Sequence, residues 1–154
     1  MSPALDASHT VRAYNFSVTA PGGWDVRIGG ASPFPIMHGA NFALPAARGD
    51  FGGLVVPGMT IGQVFVALLD YGTVVRTDGL FAPSGHPKAL DPDWFNPRQM
   101  QRPIAGMAGV QRFFNTEGRK YCLYSVIGSY ARRALLVPLV NQFLAGITIH
   151  PAVP

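Results

Sequence analysis

Residues 110–127 read VQRFFNTEGRKYCLYSVI, and the reading of that stretch decides the fold. Two apolar-rich runs flank Asn115-Thr116-Glu117-Gly118, a polar turn in which Gly118 suits the left-handed backbone of a tight reversal. The stretch therefore reads as a β-hairpin. Its second strand ends apolar on both faces, so something must cover it. The expected cover follows directly in the chain. Ser129 to Gly146 places Leu136, Val140, Phe143 and Leu144, with Ile147 beyond, at helical spacing in one apolar stripe. Pro138 is disruptive inside a helix, which leaves a start near Leu136 or a kinked helix from Ser129. A start between Arg132 and Leu136 is favoured, with Gly146 as the stop and Ile147-Thr148-Ile149 as a short last strand.

Upstream of the hairpin, QVFVALLDY at 63–71 is apolar almost throughout and reads as a central strand. Trp24 to Ile28 alternates as a half-buried strand should, and Val11 to Val18 reads as the first strand. Residues 36–44 form a further strand candidate that Gly39 weakens. Between Pro83 and Pro103 five prolines mark a long irregular excursion, with one helical turn near Trp94 to Met100. Together these give an α+β fold, a single domain at 11–150 with an antiparallel β-sheet packed against a C-terminal α-helix. Residues 1–10 read as a flexible N-terminal segment.

Composition narrows the function classes. The chain has 154 residues, 48% hydrophobic and 13% charged, against about 25% charged in an average domain. Such a chain has ample apolar surface to fold on and hints at a covered patch. The formal charge is +4, but Arg12, Arg27, Arg48, Arg76, Arg98, Arg102 and Arg112 are scattered. Without a clustered basic stripe, nucleic acid is not an expected partner. The single cysteine rules out an intramolecular disulfide and fits a reducing compartment. The opening residues lack the basic and apolar regions of a signal peptide, and stretches such as VFVALL and ALLVPLV fall far short of the roughly 20 residues that span a bilayer. A soluble, cytoplasmic protein is the expectation.

The opening strand, turn and tryptophan, Phe16-Ser-Val18-Thr-Ala-Pro21-Gly-Gly-Trp24, resemble the start of the PsbP-like superfamily. A hairpin, a long helix and a final short strand (RKYCLYSVIGS to VNQFLAGITI) resemble the way those proteins close. The RGDFG segment at 48–52 and the QRFF, GR and CLY hairpin also look like small uncharacterised actinobacterial, hence bacterial, proteins. The superfamily includes photosystem extrinsic subunits, a Ran-binding import factor, lipoproteins and secretion-system chaperones. The resemblance implies a sheet packed on a C-terminal helix and a function exercised through surface contacts. It carries over no functional residue.

Motifs for chemistry are few. RGDFGG at 48–53 contains Arg-Gly-Asp and Asp-Phe-Gly, but the chain has no His-Arg-Asp loop for a kinase and no secretory signal for an integrin ligand. It reads as a structural turn: Gly49 supplies backbone freedom, Phe51 anchors the loop, and Gly52-Gly53 permit a bend or a close approach. Arg48 and Asp50 could also pair with charges elsewhere and pin it. His9, His38, His86 and His150 show no ligand spacing and read as loop or surface histidines, so no metal or cofactor is expected. Ser84, Ser125 and Ser129 lack a nucleophile elbow, Asp91-Pro92-Asp93 reads as a turn cap, and Glu117 sits in the hairpin turn. In the excursion, Trp94, Phe95, Arg98, Met100 and Arg102 are the residue types of interface cores, with Met107 beyond. They read as a partner-binding face, the competing reading being that Trp94 and Phe95 fold back under the sheet. The function expected is thus a non-catalytic binding or accessory protein: an adaptor, a chaperone-like protein or a subunit of a larger assembly. The alternative is a small enzyme with a pocket between sheet and loop, using Cys122 or a histidine.

Overall fold

The hairpin organises the structure, a computed structural model that describes residues 7–29, 34–72, 85–116 and 118–151. In chain order the elements are β1 (His9–Ala13), β2 (Phe16–Ala20), β3 (Asp25–Gly29), β4 (Ile36–Ala40), β5 (Val64–Gly72), β6 (Ala108–Thr116), β7 (Arg119–Ile127), α1 (Arg133–Ala145) and β8 (Ile147–Ile149). Strands β6 and β7 pair from Ala108–Ile127 to Thr116–Arg119, and Gly118 turns the chain at φ 75°. Two antiparallel sheets result, β1-β2-β8 and β3-β4-β5-β7-β6, so β5 is central as expected. The chain is a small α+β fold. Arg76, Pro83, Ser84 and Glu117, and the strand end at Gly30, lie outside the described residues, as do residues 1–6 of the N-terminal segment. β1 begins inside that segment, at His9.

The five-stranded sheet is buried on both faces, which is why β5 and β7 read as apolar runs without alternation. Val64, Val66, Leu68, Leu123 and Ile127 face α1 through Leu136, Val137, Val140, Phe143 and Leu144. Phe65, Ala67, Leu69, Cys122 and Tyr124 face the other way, under Leu44, Val55, Val56 and Met59 from the loop at 41–62 and Met100 and Met107 from a second loop. Burying one face under α1 with Phe16, Val18 and Ile147 of the small sheet, and the other under two loops, gives a chain this short two cores.

Several local expectations need correction. Val11 to Val18 is not one strand: the chain reverses at Tyr14, whose φ is 55°, and makes the β1–β2 hairpin. Gly39 does not break β4; a Cβ there would run into the Phe143 ring, which stacks on Trp24 at 4.4 Å. The helix starts at Arg133, within the favoured interval, yet Pro138 is still interior to it. Ile147 belongs to β8, not the helical stripe, and Val137 joins that stripe instead. Gly146 ends α1 at φ −88°, so no left-handed cap is involved; its missing side chain makes room for the Thr19 carbonyl of β2.

Candidate functional site

The excursion is stitched along the outer edge of β6. Asp91 accepts from the Asp93 N–H at 2.8 Å and caps the 3-10 turn Pro92–Trp94, as the sequence suggests. Asn96 caps a second turn, Pro97–Gln99, by accepting from Arg98 N–H. Asn96 and Gly109 also exchange both backbone hydrogen bonds, at 2.9 and 3.1 Å, so the segment adds a short rung to the sheet.

That stitching separates the five candidate interface residues. Phe95 is 2% exposed in the helix-side core, and Met100 is 5% exposed in the opposite core. They anchor the segment across the sheet edge and are not part of an outer face. Trp94 remains 42% exposed, which sets aside its burial under the sheet. Arg98 and Arg102 are exposed as well.

Trp94 does not stand alone. The Arg112 guanidinium lies over its ring at 4.1 Å, and the two line an open recess of about 240 Å³ with Gly85, Pro87 and Ala89. Next to Trp94 in the chain, Asp93 lies 3.8 Å from the Arg133 guanidinium, which itself lies over the Tyr130 ring at 4.4 Å. Tyr130 in turn lines a shallow groove of about 590 Å³ with Met59, Ile61, Met107 and Ala131. Two ring–guanidinium pairs are thus joined into one surface by Asp93. Sequence reasoning misses Arg112, Tyr130 and Arg133 because they come from β6 and the approach to α1, with no shared spacing to connect them.

Cys122 is fully buried on β7, and burial pushes its thiol up to about 12, the opposite of an activated thiolate. A small cleft of about 110 Å³ does lie between sheet and loop, lined by Phe51, Gly52, Gly53, Arg102 and Tyr124 among others. Substrate pockets run to roughly 300–1,000 Å³. His38 is a core residue, not the loop or surface histidine expected: its Nδ1 accepts from Arg48 Nε at 3.0 Å and its Nε2–H donates to the Asp50 carbonyl at 2.8 Å. Burial holds its pKa below the usual value, and the Arg48 charge pushes the same way against the Asp50 carbonyl. The RGDFGG loop is pinned by this histidine, with Gly49 and Gly52 at positive φ and Phe51 edge-on to Tyr124. The close approach at Gly52 is the Phe65 ring, not another backbone. His86 is pushed down to about 4, first by burial and then by Lys88. The His9 ring is hydrogen-bonded to the Ala7 carbonyl, and the backbone N–H of His150 donates to the Asn15 carbonyl, while the ring nitrogens of His86 and Nε2 of the His150 ring are buried without a hydrogen-bond partner.

Asp70, fully buried at the end of β5, receives Arg119 Nε on both oxygens at 3.0 and 3.1 Å and the Gly72 N–H at 2.8 Å. Tyr121 beside it is raised to about 12, chiefly by burial and then by the Asp70 carboxylate. Ser125 donates to the Phe65 carbonyl, and Ser129 accepts from Arg132 N–H. Among the described residues, no three His, Cys, Asp or Glu side chains converge as metal ligands, and no helix is long and apolar enough to cross a membrane. No protein-family model, curated protein or solved structure matches the chain.

Proposed function

We propose that this is a binding or accessory protein, without catalytic chemistry, that docks another protein on the face carrying Trp94. The observation that carries this reading is the linked set Tyr130–Arg133–Asp93–Trp94–Arg112, in which Tyr130, Asp93 and Trp94 are exposed, the two arginines are half-buried beside the rings, and Asp93 and Trp94 are held by a segment anchored in both cores. Trp, Tyr and Arg dominate the energetics of protein interfaces, and rigid presentation lowers the entropy lost on docking. By contrast, the buried titratable groups already have structural partners or lie out of reach. The resemblance to the PsbP-like superfamily, whose members mostly bind or assist other proteins, points the same way. The lone buried cysteine favours the cytoplasm as the place of action.

The test is capture of the tagged protein from its native cells, beside Trp94→Ala, with mass spectrometry of what accompanies each. A stoichiometric companion should come with the wild type and be lost by at least about tenfold with Trp94→Ala, while the melting temperature stays unchanged. A companion held equally by both would move the docking face elsewhere. No companion at all would overturn the reading.

A further inference from the structure

Within that surface, Arg112 is an unfinished site. Its Nε is buried without a hydrogen-bond partner, and among the described residues none of the ion pairs involves it. Its neighbours offer no remedy: Asp93 faces Arg133, and Asp91 is occupied as a turn cap. The buried Nε is closed to an incoming group, so a ligand in the recess that Arg112 lines meets the outer N–H groups of this half-buried guanidinium. It is also oriented, since the Trp94 ring holds its plane at 4.1 Å and β6 holds its stem. A planar guanidinium fixed in this way loses little freedom when a carboxylate pairs with two of its N–H groups.

We infer that the recess of Arg112 and Trp94 recognises a carboxylate side chain of a partner protein, seated on the guanidinium beside the indole. The inference rests on the proposed docking face and names the chemistry that face selects. The recess is open, about 240 Å³, with Pro87 and Ala89 as apolar walls, so it admits an acidic side chain together with its methylene stem. The formal charge of +4 draws an acidic segment towards the protein, and Arg133, which donates to the Tyr130 carbonyl at 3.1 Å and meets the exposed Asp93 only at 3.8 Å, offers a second cation on the same surface.

The experiment follows the Trp94 indole N–H by NMR, assigned through Trp94→Phe, during titration with acetyl-hexaglutamate amide at constant ionic strength. Acetyl-hexaglutamine amide and glutarate are run alongside. A saturable shift is expected with hexaglutamate and not with hexaglutamine. Arg112→Gln should weaken it at least about tenfold, Arg112→Lys should weaken it less, and Arg12→Gln on distant β1 should leave it intact. No saturable shift, or an equal shift in Arg112→Gln, would overturn the assignment. A glutarate response as strong as the peptide's would also overturn it, in favour of a small free acid. If the captured companion needs Trp94 yet binds Arg112→Gln as tightly as wild type, the carboxylate site fails alone and the docking face stands.

Discussion

Phe143 lies flat between the Trp24 indole and the bare backbone of Gly39, so a single hydrogen sets how closely α1 approaches the sheet. Gly39→Ala should therefore cost about 1–3 kcal/mol as the ring is displaced, read as a lower urea midpoint; an unchanged midpoint would mean that the ring slides freely. A second effect at this scale is protonic. His38 and His86 are both held below the usual imidazole value of about 6.5. The unfolded chain then binds protons that the folded one refuses, so stability falls as pH drops below about 6.5, and the His86 share is lost progressively down to about 4. Melting temperatures at pH 7.5, 5.5 and 4.5 should decline in order, and His86→Leu should flatten the decline. A level series would show that both rings reach water. These residues were poorly legible in the sequence because a glycine, a lone histidine and an RGD tripeptide carry no periodicity. Only the packing tells a latch from a loop.

Among the elements, α1 tolerates Pro138 in its second turn, where the Ala134 carbonyl loses its usual N–H. The Pro138 ring is exposed, so Pro138→Ala removes little packing and restores a donor. Stability should rise by about 1 kcal/mol or more on thermal melting; a loss would mean that the proline bends the helix onto the sheet. The helix, the β6–β7 hairpin and central β5 were all legible, because each is announced by a local period or an unbroken apolar run. β1 and β2 were not separated, since the reversal rests on Tyr14, which lacks the turn chemistry of glycine. The loop at 41–62 was equally opaque as a cover, its apolar residues following no period. The site divided in the same way. Trp94 stays exposed, Phe95 turned inward as the competing reading of the segment had it, and Met100, of the same residue class, turned to the opposite core, a division that no local period announces.

At the scale of the whole molecule, Cys122 reports on global opening. It sits in the loop-side core with its thiol protonated, so an aromatic disulfide reagent should label it only as fast as the protein unfolds, and at the free-thiol rate in denaturant. Rapid labelling of the folded protein would reveal a local opening of the 41–62 loop. The small sheet has a different consequence, one of timing. β2, at residues 16–20, finds its outer partner only in β8, at 147–149. A ribosome adding roughly 5–20 residues each second would deliver those three residues on the order of ten seconds after Phe16 and Val18 are made. For that interval the nascent chain carries an unclosed apolar hairpin, and its birth, more than its mature state, is where it most needs shelter.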